Sequence, residues 1–404
     1  MEDIARDYFN SLPWRTFCQE PEKDDDGNVV SCKMNDLMHD LAVFVSGDVC
    51  SMHIKQGDMT NIPDGCRHLS LVCSSYHEGL IIDSTASNRA EKLRTLWALT
   101  SGNATVSHSF SIHLPCLRVL DLSCLDVVTK DTLNSISLLK RLRYLHLSCI
   151  QILPESFSKL RHLQRLRLTS CCWDLGLPTD TESMISLRHL KITSPSRLTH
   201  MPAKIGELNL QTLSVFVVGK ESGCNIRELG CHKLGGELNI WKLENVGTGR
   251  NARGAKLDEK PRLRSLTFSW NPDIDADMRK SSSEQTLEAL RPHPNPKCLT
   301  DAISSPPLGQ LPSLKFLRIG GMNAVKRIGS RFYRNGAFPS LLVLFLQDMP
   351  KLEEWSEPSH PHSFARLERA AVVRCPKLTG IPLLTPSPSL QSLVIIDFEA
   401  AAAL

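Results

Sequence analysis

LRVLDLS (residues 117–123), LRYLHLS (142–148) and LQRLRLT (163–169) are the segments that decide the fold, because each repeats the pattern L-x-x-L-x-L. The pattern, exact or degraded, occurs twelve times between Leu93 and Ile395, and as far as Leu234 its first leucines lie 21–25 residues apart. A period of about 20–29 residues is typical of leucine-rich repeats. In each repeat, the alternating leucines predict a short strand whose leucines point inward and whose intervening side chains point outward.

Neighbouring repeats have to stack, because a single repeat cannot bury its own row of leucines. We therefore predict an α/β fold in which residues 91–404 form a leucine-rich-repeat solenoid, a horseshoe lined by parallel strands. The rhythm breaks between Leu263 and Leu314, where proline, serine and charged residues are frequent. We expect an irregular, mobile insertion at about 271–306, in which one strand is missing or replaced by a loop.

The composition excludes several classes of protein. The 47 Lys and Arg residues nearly balance the 43 Asp and Glu residues, which argues against a protein built to hold nucleic acid. The longest apolar runs fall far short of the ~18–20 residues of a transmembrane helix, and residues 1–14 lack the apolar core of a signal peptide. The 14 cysteines are scattered without a C-x-x-C pair, so we expect reduced thiols in a cytoplasmic protein.

The sequence offers no motif for catalysis or metal binding. The patterns G-x-S-x-G, H-E-x-x-H and G-x-x-x-x-G-K-[ST] are absent. His360 and His362 flank a proline without a nearby Cys or Asp, and a solvated loop explains them better than a metal site. We therefore predict no catalytic residue and no metal, and we look for function among the outward side chains of the strands.

Residues 1–60 do not follow the leucine period and form a separate unit. Apolar residues at helical spacing end near Pro13, and the acidic stretch 20–28 indicates an exposed turn between two short strands. Met34 to Val45 then has the apolar spacing of an amphipathic helix. Helix, hairpin and helix are consistent with the C-terminal part of a winged-helix domain, followed by a linker at 61–90.

The segments EDIARDYFNSLPWRTFCQ (2–19) and DGNVVSCKMNDLMHDLA (26–42) resemble the end of the NB-ARC module of plant nucleotide-binding leucine-rich-repeat disease-resistance proteins. The repeats, such as LPESFSKLRHLQRLRL (153–168) and FPSLLVLFLQDMPKLEEW (338–355), are similar to the same family, in its coiled-coil class of RGA type. The resemblance implies the C-terminal part of an intracellular immune receptor. Such a part would recognise a pathogen effector or a guarded host protein and would restrain the nucleotide switch in the defence response.

The resemblance also aligns Met34, Asn35 and Asp36 with the family's M-H-D motif, whose histidine lies beside the β-phosphate of bound ADP. Asn35 replaces that histidine and cannot become a cation. An alternative reading makes Asn35 a helix N-cap and Asp36 an acid of the first helical turn. Because the family's P-loop is absent, ADP or ATP is implied only for a full-length family member and not for this chain.

The outward positions of the early strands are basic, and those of the later strands are apolar. We predict that a basic stripe docks an acidic surface of the NB-ARC domain, in cis or in trans, although arginines are also common as solvated residues. The stripe consists of Arg118, Arg143, Arg165, Arg167 and Arg188. On later strands, Phe316, Val343 and Phe345 are left for the foreign ligand.

Two other classes of function remain open from the sequence. A switch ATPase that binds ATP and ADP would require a P-loop upstream of this chain. An adaptor of a ubiquitin ligase would require an F-box, since F-box proteins also carry leucine-rich repeats. The segment KMNDLMHDLA (33–42) fits the receptor family better.

Overall fold

The computed structural model describes most of the chain, from the N-terminal hairpin to the last predicted repeat. Among these residues, no helix is both long enough and apolar enough to cross a membrane. The described residues are 7–9, 11–12, 17–23, 29–55, 62–73, 90–100, 114–125, 128–150, 152–169, 177–193, 198, 201–269, 289–300, 311–320, 326–328, 338–356, 363–381 and 389–397.

The N-terminal unit contains the hairpin and the helix that the sequence predicts. Strands β1 (Cys18–Lys23) and β2 (Val29–Met34) pair antiparallel. The helix Asp36–Ser46 follows β2 directly, and none of its residues is buried. A 3-10 helix at Gly47–Val49 leads from this helix into the first strand of a parallel sheet.

The two histidines that the sequence places in a solvated loop, His360 and His362, lie outside the described residues.

The first sheet has eight parallel strands in the spatial order β10-β9-β8-β7-β6-β5-β4-β3. Most of its inward side chains are predicted leucines, which are fully or almost fully buried. In β5 the inward residue is Ala98, and the predicted Leu99 is only half-buried. The strands are β3 (Cys50–Lys55), β4 (His68–Cys73), β5 (Thr95–Thr100), β6 (Val119–Leu122), β7 (Tyr144–Ser148), β8 (Arg165–Thr169), β9 (His189–Ile192) and β10 (Thr212–Leu213).

This sheet begins at Cys50, although the sequence predicts a linker over 61–90 and repeats only from residue 91. The reason lies in Cys66, which occupies the position of the first leucine in Cys66-x-x-Leu69-x-Leu71. Cys66 is fully buried, as a leucine would be, because a reduced cysteine packs as a small apolar side chain. The leucine pattern therefore does not identify this repeat, because a cysteine replaces its first leucine.

The second sheet has eight parallel strands in the order β11-β12-β13-β14-β15-β17-β19-β20, and β16 and β18 form a separate parallel pair. Together the two sheets confirm the predicted leucine-rich-repeat solenoid. The strands are β11 (Val215–Val217), β12 (Gly235–Trp241), β13 (Arg262–Phe268), β14 (Cys298–Thr300), β15 (Phe316–Gly320), β16 (Arg327–Ile328), β17 (Val343–Gln347), β18 (Glu354–Trp355), β19 (Arg369–Val373) and β20 (Ser392–Ile396).

Strand β14 lies within the range 271–306, where the sequence predicts an irregular insertion with a missing or replaced strand. It pairs with β13 on one side and β15 on the other, so the strand is present. Leu299 is its fully buried inward residue. The pattern fails because Pro296 and Asp301 stand where the flanking leucines of the repeat would be.

Helical segments form the side of the solenoid opposite the sheets. Leu153 and Pro154 precede such a segment, with Pro154 at the N-cap position, where its missing N–H is not needed. One cluster of buried apolar residues runs from Ile62 to Ile381 between the two sides. The helical segments are Lys130–Ile136, Glu155–Lys159, Thr181–Ser183, Ile205–Glu207, Ile226–Cys231, Leu243–Asn245, Gly249–Arg253 and Leu257–Glu259.

The two sheets part at Ser214, inside a single repeat. Leu213 ends β10 in the first sheet, and Val215 begins β11 in the second. The Ser214 hydroxyl donates to the carbonyl oxygen of Ile192 (2.9 Å) and accepts from the amide of Ile192 (2.7 Å). The hydroxyl thus takes over the backbone pairing of Ile192 only, because the Ser214 amide still donates to the carbonyl oxygen of Leu190 (3.1 Å) and its carbonyl oxygen accepts from the amide of Asn239 (2.9 Å). The apolar core continues past this point.

Candidate functional site

Asn35 caps the helix Asp36–Ser46. Its backbone is extended (φ −61°, ψ 139°), and its Oδ1 accepts a hydrogen bond from the amide of Leu37 at 3.0 Å. Asp36 lies in the first helical turn, where a negative charge is favourable, and Met34 ends strand β2. The structure therefore gives the triplet Met34, Asn35 and Asp36 the geometry of a helix start.

The predicted basic stripe divides into two groups in the structure. Arg118, Arg143 and Arg188 directly precede strands β6, β7 and β9, whereas Arg165 and Arg167 lie within β8. Side chains at neighbouring positions of a strand point to opposite faces, so position within the repeat decides where each arginine projects. The second position of the pattern L-x-x-L-x-L is occupied by Arg118, Arg143 and Arg188 in their repeats. The third and fifth positions of the repeat that begins at Leu163 are occupied by Arg165 and Arg167.

Two arginines that the sequence analysis left out of the stripe extend the first group. The amide of each member donates to the carbonyl oxygen of the preceding one at 2.7–2.9 Å, with Gln164 between Arg143 and Arg188. We call this group the arginine row: Arg67, Arg94, Arg118, Arg143 and Arg188. Adjacent parallel strands lie ~4.8 Å apart, so the row places five cations at the same edge of one sheet. The signal in the sequence is an arginine directly after the first residue of five of these six repeats, with Gln164 as the exception.

The outward positions of β6 and β7 carry a partly buried acid–base pair. His146 pairs in register with Asp121 on one side and Arg167 on the other, and Arg167 pairs with Lys191. Asp121 Oδ1 accepts from the amide of Ser123 at 3.0 Å. Burial works against ionisation of Asp121, but the hydrogen bonds from His146 and Ser123 outweigh it and hold the pKa of this carboxyl below its ordinary value.

The aromatic residues predicted for ligand recognition do meet on the second sheet. The rings of Phe316 and Phe345 are 5.7 Å apart between centroids and tilted by 40°, a favourable aromatic geometry. Both rings are half-buried on the outward face. Val343 is only 8% exposed, so it offers little surface to a ligand.

The helical side of the solenoid contains a buried ammonium group that the leucine pattern could not reveal. Lys260 Nζ donates to the carbonyl oxygens of Leu229 (2.8 Å) and His232 (2.5 Å), at the end of the helical segment Ile226–Cys231. Burial lowers the pKa of Lys260 to about 8. Burial and the nearby ammonium lower the pKa of His232 to about 4. Lys260 thus caps a helix end on the helical side, whereas both ring nitrogens of His232 are buried without a hydrogen-bond partner among the described residues.

Among the described residues, no group of three or more His, Cys, Asp or Glu side chains could hold a metal ion.

The chain matches three families of known domains. Residues 1–42 match the "Disease resistance protein Winged helix domain", residues 92–234 match a "Leucine-rich repeat region", and residues 226–302 match the "R13L1/DRL21 LRRs". These matches confirm a winged-helix region followed by leucine-rich repeats.

Relatives along the whole chain are named for disease resistance. A disease resistance protein of Arabidopsis thaliana is 32% identical over 94% of this chain and 30% of its own length. RPP13-like protein 1 of the same plant is 30% identical over 99% of this chain and 43% of its own length. RGA1 of Solanum bulbocastanum is 31% identical over 49% of this chain and 23% of its own length. The chain thus spans less than half the length of these curated relatives.

Proposed function

We propose that this chain, which is homologous to the plant coiled-coil NB-LRR disease-resistance proteins of the RGA and RPP13-like type, is the protein-interaction region of an intracellular immune receptor. In this role it recognises a pathogen effector, or a host protein that the receptor guards, and restrains the nucleotide switch of the NB-ARC domain. The observation that carries the proposal is the regular outward face of the two sheets, basic at one end and apolar-aromatic at the other.

The arginine row supports the restraining role. Its members lie at one register position beside neighbouring strands, except at β8, where Gln164 takes this position, and Arg67, Arg143 and Arg188 are exposed. Like charges at this spacing repel one another unless an acidic surface covers them. We therefore assign the row, together with Arg165 and Arg167 on β8, to docking of an acidic surface of the NB-ARC domain, in cis or supplied by another chain.

The docking has to be collective. An exposed ion pair stabilises a complex by only ~0–1 kcal/mol, so several pairs must act together to give a stable contact. Salt screens exposed charges over about 10 Å at 0.1 M, so binding through the row must weaken as the salt concentration rises. The half-buried rings of Phe316 and Phe345 remain for the foreign protein, because apolar contact is much less sensitive to salt.

Co-precipitation with a separately expressed NB-ARC fragment tests the proposal. We expect Arg118→Glu/Arg143→Glu/Arg188→Glu to abolish binding at low salt, and Arg165→Glu/Arg167→Glu to weaken it. The matched control is Lys159→Glu/Arg250→Glu/Arg253→Glu, which changes the charge equally at exposed positions of the helical side and should bind like the parent. Equal binding by the row variant and the parent would show that the row is only solvated surface.

A further inference from the structure

We infer that the outward face of strands β15, β17, β19 and β20 binds an extended peptide segment of a protein partner, in which an acidic side chain is followed by apolar side chains two and four residues later. This inference rests on the proposed function and names the chemistry of the partner. The site consists of Arg318 and, in the same register row, Phe345, Ala371 and Val394.

Arg318 carries the acidic preference. Its Nε is buried and has no hydrogen-bond partner within the described part of the chain. Buried donors are nearly always bonded, and Arg318 as a whole is only half-buried, so we take its guanidinium as the group that meets an acceptor of the partner. The guanidinium fork matches the two oxygens of a carboxylate better than any neutral acceptor, which selects Asp or Glu.

The rest of the register row carries the apolar preference. Ala371 has the smallest side chain of the row and lies between the larger Phe345 and Val394. Phe345 packs on Phe316, and Val394 is 43% exposed. Ile396, two residues further along β20 on the same face, is 49% exposed. These side chains form a shallow apolar trough across the strands, continuous with Arg318.

Polar residues border the trough where the strands end. Asp348, Arg374 and Asp397 directly follow β17, β19 and β20, and all three have the left-handed backbone conformation. Arg374 forms a two-point ion pair with Asp348, in which Nη2 and Oδ2 are 2.8 Å apart. Arg318 helps to hold the pKa of Asp348 below its ordinary value but forms no ion pair with it within the described residues, so its guanidinium remains open to a carboxylate of the partner. An apolar patch with a polar border is typical of a protein-binding surface.

The spacing of the row sets the pattern of the peptide. The row crosses four strands ~4.8 Å apart, so Arg318 and Val394 are about 14 Å apart. An extended peptide presents side chains to one face every ~6.7 Å, which places a residue and its fourth neighbour about 13 Å apart. An acid at Arg318 is therefore followed by one apolar side chain over Phe345 and Ala371 and another over Val394.

Fluorescence polarisation with labelled synthetic peptides tests the inference. The probe is a nine-residue peptide with the central pattern Glu-x-Leu-x-Leu, where x is Thr, and the comparison peptides contain Gln-x-Leu-x-Leu or Glu-x-Ser-x-Ser. We expect the parent to bind the first peptide at least tenfold more tightly than either comparison. Equal binding of the Glu and Gln peptides, or no binding of any of them, overturns the inference.

Two variants test whether Arg318 binds the glutamate of the peptide. Arg318→Gln should bind the Glu peptide about tenfold more weakly and should bind the Glu and Gln peptides alike. The matched control Arg369→Gln removes an exposed arginine from β19 in the neighbouring register row and should bind like the parent. Circular dichroism melting of both variants checks that they fold. An equal loss in the two variants would show that Arg318 has no special role.

The outcome separates this inference from the proposed function. If the NB-ARC fragment binds and no peptide does, the chain is an interaction region and the chemistry assigned to the trough is wrong. If neither binds, the proposed function itself fails.

Discussion

Asp121 and His146 form a hydrogen-bonded pair across strands β6 and β7, with Oδ2 and Nδ1 3.0 Å apart and both side chains largely buried on the outward face. Neither residue belongs to the apolar core, yet the pair is more deeply covered than the arginines around it. Hydrogen bonds that involve a charged group stabilise a fold by ~1.5–3 kcal/mol, which is more than an exposed ion pair contributes.

We predict that Asp121→Asn lowers the free energy of unfolding by about 1–3 kcal/mol at neutral pH. The pKa of Asp121 lies below its ordinary value in the folded protein, so its contribution is complete above about pH 4 and is lost as the pH falls through the folded pKa. The difference between variant and parent should therefore shrink towards pH 3. Urea denaturation at several pH values measures it, with the exposed Asp258→Asn as the control.

His232 gives the stability a second pH dependence, in another pH window. Its pKa is lowered to about 4 in the folded protein, so the unfolded chain takes up a proton first as the pH falls below about 6.5. Stability should decrease between pH 6.5 and pH 4, by on the order of 2–3 kcal/mol. His232→Leu should remove this loss when thermal unfolding is followed at pH 7, 5.5 and 4.5. An unchanged slope in the variant would mean that His232 does not titrate in this window.

We predict that Leu145→Asp abolishes cooperative folding. Leu145 is fully buried in the middle of the first sheet, where an unpaired carboxylate would lose its hydration without gaining a partner. The control Leu138→Asp changes a leucine that is 59% exposed and should melt like the parent. Circular dichroism melting compares the three proteins, and a cooperative transition for Leu145→Asp would show that the inward assignment is wrong.

Asn35 should act as a helix cap and not as a nucleotide sensor in this chain. Asn35→Ala is expected to destabilise the helix Asp36–Ser46 by about 0.5–2 kcal/mol, and Asn35→Ser to leave it nearly unchanged, because serine caps as well as asparagine. Amide hydrogen exchange within the helix measures the difference.

We also expect no ATPase activity and no tight ADP binding by the purified chain. A micromolar ADP affinity in calorimetry would contradict this prediction.

The leucine pattern predicts the parallel strands because burial of one side chain type at a fixed period is a local signal. Other features depend on contacts that the pattern does not record. Cys66 hides a repeat by replacing a leucine, and β14 has only one buried leucine, Leu299. At the point where the two sheets part, the Ser214 side chain bonds to Ile192, which lies 22 residues earlier.

The candidate site could be predicted only in part. The sequence identifies Phe316 and Phe345 as outward residues, and the structure brings their rings together. The sequence also identifies Val343 as an outward residue, but it cannot show that Val343 is covered, because the cover comes from neighbouring strands. The sequence also treats Arg118 and Arg165 as one stripe, but Arg118 directly precedes its strand, whereas Arg165 lies within β8 at the next position of the repeat.

The register between neighbouring strands is unshifted from β4 to β9, and this has a consequence for how such a gene can change. Deleting residues 142–162 would join β6 to β8 and bring Leu120 against Leu166, so the core would be preserved. On the outer face, Asp121 would then meet Arg167 in place of His146. Because each repeat contacts only its neighbours, unequal crossing-over between repeats can thus reshuffle the exposed residues without breaking the scaffold.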